Sequence, residues 1–78
     1  MLTKKQYDKL KPFEHIFRCA KQNYIRGVYS RDIELLSNVY YELGQHLSNK
    51  NCGSCVLNMC RYLANEYYDY VNKKQKDE

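Results

Sequence analysis

Apolar side chains recur three or four residues apart in three separate stretches of this chain, and that spacing is typical of α-helices. The three stripes are Leu10, Phe13, Phe17, Ala20 and Tyr24; Ile33, Leu36, Tyr40, Leu43 and Leu47; and Cys52, Val56, Met59, Leu63, Tyr67 and Tyr70. No stretch shows the strict alternation of a β-strand. The pattern predicts an all-α fold, a small three-helix bundle to which an additional short N-terminal helix is an open alternative.

The start of the chain carries two signals for that short helix. Thr3 and Gln6 have the spacing of a capping box, and Pro12 has no N–H to donate inside a helix. A helix from Thr3 to Leu10 would therefore break at Pro12. Alternatively, Pro12 lies in the first turn of one longer helix, and the sequence leaves this boundary open.

The other two helices have clearer limits. Ser30 is a good N-cap for the second helix, and Gly44 is a natural residue to end it. The polar residues 48–51 predict a loop, with Asn51 as the cap of the third helix. We expect that helix to end near Asn72.

A chain of 78 residues supplies one hydrophobic core. We expect one helical domain over residues 1–72 and a charged tail over residues 73–78. So small a core is marginal alone, and further apolar residues lie outside the narrow stripes. These are Ile16, Cys19, Ile25, Leu35 and Val39. Together these features favour a homo-oligomer.

Several classes of protein are excluded by composition. No apolar run is long enough to cross a bilayer, and the N-terminus has no signal-peptide core, so we expect a cytoplasmic protein without membrane contact. No nucleophile–base pair or pair of carboxylates has a usable spacing. We therefore predict no catalytic residues, no cofactor and no bound metal.

The charge is unevenly distributed. Residues 1–31 hold eight Lys and Arg against two Asp and Glu, whereas residues 32–72 hold two against five. A basic surface of this kind attracts phosphate groups, and it also keeps a small protein soluble. An anionic ligand or nucleic acid is the predicted partner.

One segment of the basic half combines rings with cations before a helix start. Its candidate binding residues are Lys21, Tyr24, Arg26, Tyr29 and Arg31. Tyrosine faces stack on bases, arginine binds phosphate, and the N–H groups of a helix start attract anions. The alternative is purely structural: Tyr24 closes the first stripe, Gly27 makes the turn, and the arginines are solvated or paired with nearby acids.

Four cysteines without a secretory signal are too few for a disulfide framework. Cys52 and Cys55 form a C-x-x-C pair, as in thiol oxidoreductases, but no strand precedes it. Zinc would need Cys60 with His46 or Cys19 as further ligands, at unfavourable spacing. The sequence favours Cys52 and Cys55 as small packing residues, with redox and zinc roles as the remaining alternatives.

The chain has nine tyrosines, two phenylalanines and no tryptophan. The tyrosines in residues 40–41 and 67–70 place rings on both the inner and outer faces of their predicted helices. Outer-face rings favour protein interfaces, and Tyr40, Tyr41 and Tyr68 are the predicted interface residues. The alternative function is therefore a protein–protein adaptor or inhibitor that uses these rings.

The segments Asn23-Tyr24-Ile25-Arg26 and 51–57, with the tyrosine-rich helix after them, resemble small uncharacterised proteins of bacteriophages of gut Bacteroidetes. That resemblance implies no catalytic activity. It implies a small phage-encoded binding protein in the cytoplasm of a bacterial host: a regulator of DNA or transcription, a packaging or virion accessory protein, or an inhibitor of host defence. Our leading hypothesis is a non-enzymatic helical protein whose basic half contacts a nucleotide or nucleic acid, and a host protein is the other candidate partner.

Overall fold

The computed structural model describes residues 2–25 and 28–76. In chain order it contains α1 (Lys4–Leu10), a 3₁₀ turn (Lys11–Phe13), α2 (Glu14–Lys21), α3 (Ser30–Glu42) and α4 (Gly53–Lys76). The described residues include no strand, so the predicted all-α bundle is confirmed together with its short N-terminal helix. None of the helices in these ranges is long and apolar enough to span a membrane.

The capping box predicted for the first helix is present. The Gln6 backbone N–H donates to Thr3 Oγ1 at 3.2 Å, and the Thr3 N–H donates to Gln6 Oε1 at 2.9 Å. Pro12 lies at the start of the 3₁₀ turn, where its missing N–H costs no helical hydrogen bond. The N-terminal boundary is thereby resolved in favour of two helices joined by this turn.

The first apolar stripe is shorter than predicted, because α2 ends before Tyr24. Asn23 adopts a left-handed backbone with φ +69°. The N–H of Asn23 donates to the Ala20 carbonyl, and that of Tyr24 donates to the Cys19 carbonyl. This pattern is a Schellman ending, which asparagine tolerates better than most residues. Tyr24 therefore lies beyond the helix and is exposed, so the prediction that it closes the stripe is wrong.

The start of α3 lies one residue earlier than predicted. Tyr29, rather than Ser30, is the N-cap, and its backbone N–H donates to Asp32 Oδ2 at 3.2 Å. The end is confirmed: Gly44 has φ +85°, and its N–H donates to the Tyr41 carbonyl at 2.9 Å. Gly44 can take this left-handed conformation without the steric cost that a Cβ would add.

Both limits of α4 differ from the prediction. The Cys55 backbone N–H donates to Cys52 Sγ at 3.2 Å, so Cys52 caps the helix in place of Asn51. Asn51 instead donates its own N–H to the Asn49 side chain, which forms the loop turn. The helix also continues past Asn72 to Lys76, because nothing in the sequence after Asn72 breaks it.

Helix α4 is the central element, and α1, α2 and α3 all pack against it. The buried hydrophobic residues are Leu2, Leu10, Ile16, Phe17, Ala20, Leu36, Val39, Val56, Met59, Cys60, Leu63, Ala64 and Tyr67. Ile16 and Val39 are therefore core residues and not surplus apolar surface, since a globular helix buries a wider arc than a coiled-coil seam. Leu35 is 37% exposed and keeps some apolar surface outside the core, and the homo-oligomer stays a prediction.

A cluster of aromatic rings joins the N-terminal helices to α4. The Tyr7 ring stacks on Tyr67 and Tyr70, with centroid distances of 5.2 and 4.6 Å. The centroid of the Phe17 ring lies 5.3 Å from that of Tyr67. This cluster holds α1 and α2 against α4.

Candidate functional site

The predicted binding residues lie on and around the connection between α2 and α3. Lys21 is the last residue of α2, and Tyr24 and Tyr29 lie within the connection. Both rings are open to solvent, at 46% exposure for Tyr24 and 64% for Tyr29. Arg26, with Gly27, lies outside the described residues. The structure therefore places four of the five predicted residues.

Arg31 and Tyr29 form the most defined pair in this segment. The Arg31 guanidinium carbon lies 5.9 Å from the centroid of the Tyr29 ring, within the range of a cation–π contact. Asp32 binds the Tyr29 backbone N–H, and Arg31 makes no ion pair within the described residues. For Arg31, the alternative of pairing with a nearby acid is therefore wrong.

The Asp32 carboxylate also makes the start of α3 less attractive to an anion. Because the carboxylate accepts from the Tyr29 N–H, it places a negative charge where the sequence predicted free N–H groups for an anion. The start of α3 is thus not a phosphate cradle. What the segment offers to an anion is the side chain of Arg31 beside the exposed ring of Tyr29.

Lys21, a predicted phosphate-binding residue, contacts Tyr68, a predicted interface residue. Its ammonium Nζ lies 4.7 Å from the centroid of the Tyr68 ring on α4. Tyr68 is half-buried, and burial, followed by the nearby charge of Glu14, raises the pKa of its hydroxyl. Tyr68 is therefore part of the α2–α4 contact, and its prediction as an outward interface ring is wrong.

The two tyrosines of α3 have different environments. Tyr40 is half-buried and packs edge-on against Tyr62, at a centroid distance of 5.3 Å, so it is not an outward ring either. Tyr41 is 71% exposed, as predicted. It lies at a cleft of about 260 Å³ lined by Ser37, Asn38, Tyr41, His46, Leu47 and Lys50.

The basic half presents its cations to solvent. On α1 and the 3₁₀ turn the exposed lysines are Lys4, Lys5, Lys9 and Lys11. None of them forms an ion pair within the described residues. Lys5 and Lys9 are one helical turn apart, and like charges at this spacing are mildly destabilising. In the same half Arg18 pairs with Glu14 at 3.5 Å.

The sequence predicted a C-x-x-C pair at a helix start, but not that Cys52 itself caps the helix. Cys52 and Cys55 are half-buried and absent from the core, so their interpretation as packing residues is wrong. The Cys52 sulfur interacts with the Cys55 thiol, the Ser54 hydroxyl and the backbone N–H groups of both residues, which lowers its pKa to about 7. A cysteine one residue before a helix is the signal that could have identified this cap.

The other cysteines are placed differently. Cys60 is fully buried, and burial raises the pKa of its thiol to about 11. Across residues 2–25 and 28–76, no three His, Cys, Asp or Glu side chains are grouped so that they could hold a metal ion. The zinc set proposed from Cys52, Cys55, Cys60 and either His46 or Cys19 is therefore not assembled.

A second cleft lies beside the cysteine pair. Its volume is about 150 Å³, and it is lined by Tyr40, His46, Leu47, Ser48, Cys55 and Asn58. His46 and Leu47 line both clefts, which places the two clefts side by side. The two clefts thus form one concave surface at the α3–α4 loop and the start of α4.

Comparison with protein-family models, with curated proteins and with solved structures gives no match to this chain. The resemblance to phage proteins stays a prediction, and every functional argument depends on the residues themselves.

Proposed function

We propose that this protein is a non-enzymatic binding module that contacts a nucleotide or a single-stranded nucleic acid through the α2–α3 connection. The observation that carries the proposal is the pair formed by Tyr29 and Arg31. An exposed ring with a guanidinium 5.9 Å from its centroid offers a stacking face and a phosphate donor at one place.

The energies of these two contacts are sufficient for a weak, specific site. Stacking of one base on an aromatic ring contributes about 1–3 kcal/mol. A charged hydrogen bond from arginine to phosphate is shorter and about twice as strong as a neutral one. The cation–π contact also restricts the Arg31 side chain before binding, so less conformational entropy is lost when a phosphate arrives.

The surrounding charge supports an anionic partner. Eight Lys and Arg against two acids in residues 1–31 give a positive potential, and the lysines of α1, which are among these eight, are exposed and form no ion pair within the described residues. Such a field increases the rate of encounter with phosphates. Asp32, Glu34 and Glu42 make α3 acidic, which disfavours insertion of this helix into a DNA groove.

The experiment compares binding of a fluorescent single-stranded oligonucleotide and of a fluorescent mononucleotide by anisotropy at low salt. Tyr29→Ala and Arg31→Ala are each expected to weaken binding about tenfold. Tyr41→Ala is the matched control, because that ring is equally exposed but lies elsewhere on α3. Equal affinity in wild type, Tyr29→Ala and Arg31→Ala would contradict the proposal, as would absence of binding to either probe.

A second candidate function is binding of a host protein, and Tyr41 favours it. This ring is 71% exposed beside a cleft, and an exposed tyrosine at a concave surface is typical of an interface anchor. In this case Tyr41→Ala weakens the complex and Tyr29→Ala does not. Such a complex also depends only weakly on salt, in contrast to a phosphate complex.

The biological setting remains a proposal too. A small phage-encoded protein that binds a nucleotide or a nucleic acid would suit an inhibitor of host defence, and the adaptor or virion accessory role would suit the Tyr41 surface. Native mass measurement of protein purified from its host reports retained nucleotide and subunit number together. That measurement also tests the predicted homo-oligomer.

A further inference from the structure

Cys52 and Cys55 lie at the first turn of α4, where the Cys52 sulfur contacts groups of Ser54 and Cys55. The Cys55 backbone N–H donates to Cys52 Sγ at 3.2 Å, and the Ser54 hydroxyl lies 3.4 Å from the same sulfur. The Cys55 amide and the Ser54 hydroxyl therefore both contact one partly exposed sulfur, at the start of a helix. Donors of this kind stabilise the thiolate, which is the nucleophilic form of cysteine.

We infer that Cys52 and Cys55 form a thiol–disulfide exchange site, in which Cys52 attacks a low-molecular-weight disulfide and Cys55 resolves the intermediate. The site is separate from the α2–α3 connection and does not depend on its function. The absence of a strand before residue 51 does not count against it, because the reaction needs a helix start and two thiols and not a particular fold.

The reaction has two balanced steps. The Cys52 thiolate attacks one sulfur of R–S–S–R′, forms a mixed disulfide with the R–S group and releases R′–S⁻, which takes up a proton. The Cys55 thiol then loses its proton and attacks Cys52 Sγ, which forms the Cys52–Cys55 disulfide and releases R–S⁻. The protein is oxidised by two electrons and the small disulfide is reduced; a dithiol reductant reverses both steps.

The positions of the two residues suit their separate roles. Residues three apart on a helix have Cβ atoms about 5–6 Å apart, and a disulfide needs about 3.5–4.5 Å. Cys52 lies outside the helix, so its backbone can move to close this gap. The Ser48 hydroxyl lies 3.7 Å from Cys55 Sγ as a donor, and it can support the negative charge as Cys55 ionises.

The cleft of about 150 Å³ supplies room beside the reacting atoms. Cys55 is one of its lining residues, so a group attached to Cys52 has an adjacent concave surface to enter. Its small volume favours a low-molecular-weight disulfide over a folded protein substrate. Cys60 cannot compete in the exchange, because its sulfur is fully buried.

The test uses 5,5′-dithiobis(2-nitrobenzoic acid) at pH 7, followed by absorbance and by intact mass. A thiol with pKa about 7 is half ionised there, against about 3% for an ordinary thiol. Its lower intrinsic nucleophilicity reduces this advantage, so Cys52 should react about three times as fast as an ordinary exposed thiol. Wild type is expected to release two coloured thiols in the fast phase and to retain no adduct.

Two serine variants separate the roles, and serine keeps a good helix cap at position 52. Cys55→Ser is expected to release one coloured thiol and to retain one adduct at Cys52. Cys52→Ser is expected to lose the fast phase, while the matched control Cys19→Ser keeps it. Glutathione disulfide, in a second arm, should convert wild type to the internal disulfide, reversible by dithiothreitol.

A stable adduct at Cys52 in wild type would overturn the inference, because Cys55 would then not resolve it. A fast phase that persists in Cys52→Ser would overturn it as well. Circular dichroism of each variant ensures that a lost phase reflects the missing sulfur and not an unfolded chain.

Discussion

The hydroxyl of Tyr67 on α4 donates a hydrogen bond of 3.1 Å to Oε2 of Glu14 at the start of α2, 53 residues earlier in the chain. Burial, followed by hydrogen bonds with Tyr7 and Glu14, raises the pKa of this hydroxyl. Glu14 also pairs with Arg18, so the carboxylate connects the surface of α2 to the aromatic cluster. The bond fixes the register between α2 and α4.

Tyr67→Phe tests this bond, because it removes the hydroxyl and keeps the stacked ring. We expect a loss of about 1–2 kcal/mol in unfolding free energy, since a hydrogen bond to a charged group is lost while Glu14 retains some solvent. For a domain of this size that is a fall in Tm of roughly 5–10 °C. Tyr70→Phe is the matched control, with an expected change within about 0.5 kcal/mol. Equal effects of the two variants would contradict the role of the bond.

The two helix ends with a left-handed residue, Asn23 after α2 and Gly44 after α3, are predicted to respond in opposite directions. Gly44→Ala should destabilise the protein by about 1–2 kcal/mol, because φ +85° strains any residue with a Cβ. Asn23→Gly should stabilise it, since φ +69° has no steric cost for glycine. Gly53→Ala is the control, because a Cβ there meets no atom within 4 Å and needs no left-handed backbone. Urea unfolding measures all three, and a stabilising Gly44→Ala would contradict the assigned ending.

Most of the fold was predictable because its signals are local. The apolar spacing, the Thr3–Gln6 capping box and Gly44 each depend on neighbouring residues, and each has the predicted place in the structure. The errors arose where two good candidates compete. Asp32 favours Tyr29 over Ser30 as the cap of α3, and the cysteine sulfur at residue 52 accepts from the Cys55 N–H and so replaces Asn51 as the cap of α4.

The candidate site was less predictable because its contacts are between helices. No sequence pattern indicates that the Lys21 ammonium lies over the Tyr68 ring, or that Tyr40 packs against Tyr62. Sequence position gives only the helix face of a tyrosine, whereas its exposure depends on which helix covers it. Only Tyr41 of the three predicted interface rings is therefore open to solvent.

Alkaline pH should destabilise the protein through Cys60. Burial raises the pKa of this thiol from 9 to about 11, so above pH 9 the unfolded chain loses the proton and the folded chain keeps it. Stability is then full below pH 9 and falls as pH rises toward 11, by about 1 kcal/mol between pH 8 and 9.5. Urea unfolding across this range measures the slope. In Cys60→Ala the unfolding free energy should fall less steeply with pH, and an unchanged slope would refute this assignment.

The reactivity of Cys52 should follow a midpoint near pH 7. The groups that face its sulfur are the Cys55 thiol, the Ser54 hydroxyl and the backbone N–H groups of residues 54 and 55, and together they lower its pKa to about 7. The iodoacetamide rate at Cys52, followed by peptide mapping, should therefore reach half its maximum near pH 7. Cys55→Ala removes the largest cause and should raise the midpoint. A wild-type midpoint above pH 8 would contradict this environment.

The proposed binding function is tested most directly by the salt dependence of oligonucleotide affinity in wild type and in Arg31→Ala. Each phosphate held on a single strand contributes about −0.7 to the slope of log K against log salt concentration. We expect wild type to bind with a clearly negative slope, and Arg31→Ala to bind more weakly with a slope smaller in magnitude by about 0.7. Identical slopes in the two proteins, or no measurable binding at low salt, would contradict a phosphate contact at Arg31.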